Sequence, residues 1–304
     1  MKVLSIIVTY NGLQWMDRCL GSLRDSLHPT SVVVIDNGST DGTVEHIRTH
    51  FPSVELVVAE KNLGFGQANN VGLRMALERN MDHVFLLNQD SWVQPDTIGR
   101  LVEMAAAHTD YGVISPLHLT GKGNALDREF AYYLAPDKCP GILSDLAMRK
   151  GQGQIYEVDF VNAAAWLVTR ACLLQVGGFD PTFFHYSEDD NYLHRAHFHG
   201  FRSGIVTDVY MHHDREDRKS NPYFDQLRVY RVRALRLRYA DPGRSFNEAA
   251  ERRALWWKLL RGLLALRKKE VLIARDHLKL FNEADLAPVL RNRALAQQKG
   301  TTFL

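Results

Sequence analysis

The chain has few cysteines. Cys19, Cys139 and Cys172 are the only three in 304 residues. They are odd in number, far apart and fall in no metal-binding spacing. That excludes a disulfide framework and a cysteine-based zinc site, and makes a reducing compartment the default. No apolar run approaches the ~20 residues that a membrane-spanning helix needs. Residues 1–8, Met1-Lys2-Val3-Leu4-Ser5-Ile6-Ile7-Val8, show no cleavage-site pattern and go straight into a strand pattern. A cytoplasmic location is therefore expected. Net charge is small, +2, so a dedicated nucleic-acid binder is excluded and no nucleic-acid partner is expected. There is no internal repeat and no low-complexity tract. The dinucleotide fingerprint G-x-G-x-x-G is missing as well. Gly64 and Gly66 are followed by Asn69, and the pair comes after the third apolar run rather than the first. Both facts argue against a nicotinamide-binding domain.

What is present is ordinary in total and ordered in sequence. Hydrophobic residues make up 45% and charged residues 24%, as in globular proteins. Residues 3–9, 32–35, 54–59 and 83–87 read as strands. Between them Trp15, Cys19, Leu23 and Leu27 share one helical face, Val44, Ile47 and Phe51 another, and a third helix is expected over about 67–80. Strands alternating with helices imply βαβ units and a mostly parallel sheet flanked by helices. A helix after Pro95 carries Ile98, Leu101, Val102 and Ala105, and residues 111–115 form a further strand pattern. Residues 117–157 lose periodicity, which marks a functional loop or a disordered one; its aromatics Phe130, Tyr132, Tyr133 and Tyr156 either stack on ligand rings or pack. Residues 160–168 and 205–211 resume strand patterns, the second ending in His212-His213, and Ser187-Glu188-Asp189-Asp190 opens a helix between them. His194, His197 and His199 read as a helix surface, and Cys172 as core.

From Gln226 the character changes. Residues 226–240 hold Arg228, Arg231, Arg233, Arg236 and Arg238 and no acid, and residues 251–270 hold seven basic residues and two acids interleaved with Trp256, Trp257 and leucines. These are basic amphipathic helices. The expected organisation is a domain over 1–225, in halves 1–110 and 111–225, and a helical region over 226–304. A packing or homodimer surface is the expected role of that region. Contact with the anionic inner face of the cell membrane is the alternative.

Chemistry-bearing residues cluster at strand ends. Leu86-Leu87-Asn88-Gln89-Asp90 closes an apolar run with an amide and a carboxylate two residues apart. In open α/β sheets the ligand sits outside the carboxyl ends of the strands. A carboxylate there can hold a divalent cation against a diphosphate; alone, it could as well open a turn before Pro95. Four successive strand ends carry oxygen-rich turns: Thr9-Tyr10-Asn11, Asp36-Asn37-Gly38-Ser39, residues 62–66 and Asn88-Gln89-Asp90. Such turns should converge on one cleft.

These motifs resemble those of family 2 glycosyltransferases with the GT-A fold, in particular the bacterial rhamnosyltransferase-like branch. The matching residues are Val8-Thr9-Tyr10-Asn11; Asp36-Asn37-Gly38-Ser39-Thr40-Asp41-Gly42-Thr43; Asn62-Leu63-Gly64-Phe65-Gly66 with Asn70 and Gly72; Leu86-Leu87-Asn88-Gln89-Asp90; and Gly177-Gly178-Phe179-Asp180 running on to Glu188-Asp189. They span about residues 3–240. The resemblance implies a nucleotide-sugar donor and a glycan or lipid-linked acceptor. Thr9, Tyr10, Asn11 and Asp36 would hold the base and ribose, and Gly64 and Asn70 would flank the nucleotide. Asn88, Gln89, Trp166 and Glu188 would line the nucleotide-sugar site, Trp166 at its sugar or acceptor pocket, and residues 117–157 would form the acceptor-side lid. Asp90, with His212 or His213, would bind Mg2+ or Mn2+, and Asp189 would be the general base. Many members carry carboxylates at both ends of the D-x-D triplet; Asn88 takes the first place here and adds no charge.

The implied activity is an inverting, metal-dependent transfer from a UDP- or dTDP-sugar, dTDP-rhamnose first, into a cell-surface glycan or its lipid-linked precursor. Asp189 at a helix start sits near the positive end of the dipole, which favours its ionised form. Two rivals remain at this stage. A nucleotidyltransferase should show a Gly-rich loop with Arg and Lys after the first strand, and Thr9-Tyr10-Asn11-Gly12 is not that. A non-catalytic, membrane-associated scaffold would keep the fold without turnover.

Overall fold

The computed structural model describes residues 1–151, 153–215, 223 and 226–304. The described residues form nine strands and twelve α-helices, in the order β1 (Val3–Thr9), α1 (Leu13–Arg24), β2 (Thr30–Asp36), α2 (Thr43–His50), β3 (Glu55–Val58), α3 (Phe65–Glu78), β4 (His83–Asn88), β5 (Ser91–Val93), α4 (Thr97–Ala107), β6 (Tyr111–Thr120), α5 (Arg128–Ala131), α6 (Ile142–Ala147), β7 (Ile155–Glu157), β8 (Ala165–Thr169), α7 (Arg170–Val176), α8 (Glu188–Phe198), β9 (Arg202–His213), α9 (Leu227–Ala240), α10 (Glu248–Leu264), α11 (Lys268–Ala284) and α12 (Leu286–Ala296). They divide into two compact units, Met1–Arg218 with Lys299–Leu304, and Lys219–Gln298. The boundary expected at 225/226 lies outside the described residues.

In the first unit all nine strands join one sheet of order β3-β2-β1-β4-β8-β6-β9-β5, with β7 pairing β9. β1, β2, β3 and β4 are mutually parallel, β8 runs antiparallel between β4 and β6, and β9 returns parallel to β6. The sheet is buried on both faces because its central strands carry apolar residues on both faces. Leu4 and Ile6 of β1 face one core cluster, Val3 and Ile7 the other, and β4 divides Val84 and Leu86 from Phe85 and Leu87 in the same way.

Three expectations shift. The α1 face keeps Cys19 and Leu23 buried but ends at Arg24; Leu27 is 77% exposed, its N–H donating to the Pro95 carbonyl. The strand expected to stop at Ser115 continues to Thr120, because the pairing with β9 slips between Pro116 and Leu117 and the irregularity absorbs the proline. The lid over 117–157 is in part core: Phe130, Leu134, Cys139 and Ile142 are buried. Phe130 stacks on His118, Tyr133 meets Phe160 edge-on, and Tyr156 donates to Asp145, so three of its four aromatics pack while Tyr132 is exposed.

The second unit holds α9, α10, α11 and α12, with α10 packed on α11 and α9 on α11 and α12. No helix of the described residues is long and apolar enough to cross a membrane.

Candidate active site

The sheet changes direction between β1 and β4: β2 and β3 lie on one side of β1, β4 on the other. At such a switch point the strand ends leave a crevice. In register, Thr9 lies beside Asp36 and Val8 beside Asn88, so the first, second and fourth polar turns meet there. Gln89 fastens two of them together. Its Oε1 accepts from the Thr9 hydroxyl at 2.7 Å and the Tyr10 N–H at 2.9 Å, and its Nε2 donates to the Tyr10 carbonyl at 3.3 Å. Asn11 holds a left-handed φ of 50°, its N–H donating to Ser39 Oγ and its Oδ1 accepting from the Thr40 N–H. Asp36 is fully buried. Its Oδ2 accepts from the Gly38 and Ser39 N–H groups at 3.0 Å each, while among the described residues Oδ1 has no hydrogen-bond partner. A buried acceptor oxygen left open at the strand ends is suited to a donor on a ligand. Asn88 Oδ1 is likewise buried without a partner.

The third turn is tied in from the side. Asn37 donates to the Gly64 carbonyl and accepts from the Leu63 N–H. Gly64 has φ 77°, and a Cβ there would come within 2.2 Å of the Phe184 carbonyl. Glycine is required both by that conformation and by the close approach of the segment that enters α8.

Asp90 sits at the corner between β4 and β5, buried, its carbonyl accepting from the Asp214 N–H. Because β5 pairs with the end of β9, with Ser91 beside His213, that corner faces the last strand's histidines. Neighbouring strand residues point to opposite faces. His213 turns toward Asp90, Nε2 lying 3.4 Å from Oδ1, while His212 stacks on Trp92. His213 Nδ1 lies 3.9 Å from Asp127 Oδ2, and neither ring nitrogen has a hydrogen-bond partner among the described residues. Asp127 caps α5 through the Phe130 N–H and takes an ion pair from Arg215. Burial pushes the Asp127 carboxyl up, but the Arg215 and Phe130 hydrogen bonds outweigh it and hold the group below its usual range.

A divalent cation fits this corner in part. Among the described residues no group of three His, Cys, Asp or Glu side chains is arranged to hold a metal. A buried carboxylate beside an imidazole with open nitrogens does match the requirement of a cation that keeps substrate phosphates among its ligands.

Asp189 stands in the first turn of α8 between Glu188, which is buried, and Asp190, whose N–H donates to Asp189 Oδ1 at 2.9 Å. Two successive non-glycine residues, Tyr186 and Ser187, enter this helix at φ 66° and 71°. Such strain persists only where the surroundings enforce it. The Tyr133 hydroxyl is pushed up first by burial and then by the charge of Asp189, with Arg215 pulling the other way. Tyr133 is therefore within electrostatic reach of both. Asp90, His213, Asp127 and Arg215 form one continuous polar chain.

Residues 5–140 match the model of glycosyl transferase family 2. An N-acetylglucosaminyl-diphospho-decaprenol L-rhamnosyltransferase of Mycobacterium tuberculosis is 26% identical, over 86% of this chain and 90% of its own. A dTDP-rhamnosyl transferase of Shigella flexneri is 23% identical over 70% of this chain and 69% of its own. The chain is a glycosyltransferase whose residues 5–140 carry the family 2 pattern. A mannosyltransferase of Pyrobaculum calidifontis, solved with GDP-Man and Mn2+, superposes with a TM-score of 0.58 at 20% identity, covering 97% of this chain and 85% of that one. The fold of this glycosyltransferase is thus GT-A, rhamnosyltransferase-like in sequence.

Two expected site residues of the glycosyltransferase lie elsewhere than the cleft. Trp166 is fully buried in the core, stacked on Phe179, so it packs rather than lines a pocket. Asn70 has its amide engaged by backbone: Oδ1 accepts from the Phe179 N–H, and Nδ2 donates to the Phe179 and Phe303 carbonyls. Phe303 belongs to the C-terminal segment Lys299–Leu304, which lies on the Gly177-Gly178 turn, where the Thr302 carbonyl accepts from the Gly178 N–H. Asn70 is a clip for that turn. Asp127 and Arg215 escaped the sequence reading. They are single charged residues outside any periodic pattern, and only the fold brings them to His213.

Proposed function

We propose that this glycosyltransferase moves a sugar from a UDP- or dTDP-sugar, dTDP-rhamnose first, to a hydroxyl of a cell-surface glycan or lipid-linked acceptor, with inversion and with Mg2+ or Mn2+. The printed activities of the two rhamnosyl relatives support the donor and the acceptor class. The observation that carries the reading is the buried corner where Asp90 and His213 meet, with Asp127 and Arg215 behind them.

Asp36 Oδ1 accepts from the base or ribose, and Asn88 meets a ribose or sugar hydroxyl. Asp90 and His213 would hold the cation, which when bound supplies positive charge against the departing diphosphate. Asp189 takes the proton of the acceptor hydroxyl as its oxygen bonds to the anomeric carbon and the bond to the nucleotide diphosphate breaks on the far side. One displacement with one base inverts that carbon.

A panel of nucleotide-sugars assayed for hydrolysis and transfer tests this. Asp189→Asn should leave donor affinity nearly intact and slow transfer about 10²–10⁴-fold, the usual contribution of a general base. Transfer at the wild-type rate in that variant removes Asp189 from the role.

A further inference from the structure

Helix α10 is apolar on two faces. One face meets α11: Leu259 and Gly262 are buried, and Leu259 packs with Leu255, Val271, Ala274 and Leu278. Among the described residues the other face has no such cover. Trp256, Trp257, Leu260, Leu263 and Leu264 fall at i, i+1, i+4, i+7 and i+8, a stripe about a third of the helix circumference wide. Its members are 47% to 87% exposed, and Leu266 in the turn between the helices and Leu272 in α11 are 87% and 64% exposed. Two tryptophans and five leucines together exceed the scattered apolar exposure of ordinary surfaces.

The charge around the stripe says what it meets. Arg253, Lys258, Arg261, Arg267, Lys268 and Lys269 are all exposed. The two acids of residues 251–270 are already paired, Glu251 with Arg238 and Glu270 with Arg267. A two-fold dimer through this patch would set the same basic rim against itself, because an isologous interface faces like with like. Apolar side chains, tryptophan among them, inside a positive rim complement a lipid surface with anionic headgroups.

We propose that the α10–α11 hairpin docks on an anionic lipid bilayer, with the tryptophan–leucine stripe in the interfacial layer and the basic side chains at the headgroup phosphates. This goes beyond the donor and base assignments and does not depend on them. The test uses the full chain and vesicles without any sugar substrate. Sedimentation with equimolar phosphatidylglycerol–phosphatidylcholine vesicles should carry the protein down, and pure phosphatidylcholine should carry far less. Raising salt should weaken binding as the headgroup attraction is screened. Leu260→Gln with Leu264→Gln should lower vesicle partitioning about tenfold or more per residue. Both residues are exposed, so the fold and nucleotide binding should be kept, as read by circular dichroism and calorimetry. Lys258→Glu with Arg261→Glu should abolish the preference for phosphatidylglycerol. Absence of binding to anionic vesicles overturns the proposal. So does equal binding by the leucine variant, or a solution dimer that this variant converts to monomer.

Discussion

The two oxygens of Asp36 do different work. Oδ2 is fixed by two backbone N–H groups at the start of a turn, while Oδ1 is buried without a hydrogen-bond partner among the described residues. A group held rigid at one atom and open at the other is pre-organised, so a ligand need not order it. Gln89 does the same for the cleft as a whole by clamping the β1 turn to the β4 end. The cysteines show the opposite case, groups withdrawn from chemistry. Burial pushes the Cys19 thiol far up and the Cys172 thiol up to about 12, the nearby Asp90 charge adding to the first and the Tyr192 hydrogen bond and Arg195 opposing the second. Both stay protonated in the native state at neutral and mildly alkaline pH, so their protonated form contributes stability below the unfolded thiol value and loses it as pH rises above about 8.5. Ellman's reagent at pH 8 should leave Cys19 and Cys172 unreacted until denaturant is added. Rapid native release of colour from these two thiols would contradict their placement.

At the scale of elements, the piece that aims Asp189 is the α7–turn–α8 unit, and Arg195 is its hub. The guanidinium is fully buried and donates to Asn191 Oδ1 at 3.0 Å, to the Val176 carbonyl at 2.8 Å and to the Gly178 carbonyl at 2.5 Å, and it lies over the Phe303 ring. Burial pulls its pKa down, with Asp180 as the first opposing charge. Arg195→Met would strand two buried carbonyls. It should cost about 3 kcal/mol or more, read by urea unfolding, with faster hydrogen exchange in α7 and α8. Unchanged stability would mean that the hub holds nothing. The first four strands were legible because each is an apolar run bounded by turn residues. The elements between 117 and 157 were not, because helices of four to six residues give one turn and no period. Pro116 hid the second half of β6, which survives it through a register shift. Lys299–Leu304 has no pattern at all; its role comes from where the fold delivers it.

At the scale of the whole molecule, the sequence carries an order of motifs and the sheet turns that order into a place. Turns separated by tens of residues meet because β1 lies between β2 and β4, and Asp90 meets His213 because β5 folds back against the end of β9. The convergence on one cleft was legible from the strand ends alone. That His213 rather than His212 lies beside Asp90, with the Asp127–Arg215 pair behind it, follows from strand register and alternation that the sequence does not state.

The central claim is that this corner grips a nucleotide diphosphate through Asp90 and a cation. Calorimetric titration with UDP and dTDP, with and without Mn2+, on the native chain and on Asp90→Ala measures it. The account predicts nucleotide binding that requires the metal and weakens at least about tenfold in Asp90→Ala, the loss of one charged contact, with the melting temperature little changed. Nucleotide binding that is indifferent both to Mn2+ and to Asp90 would contradict it.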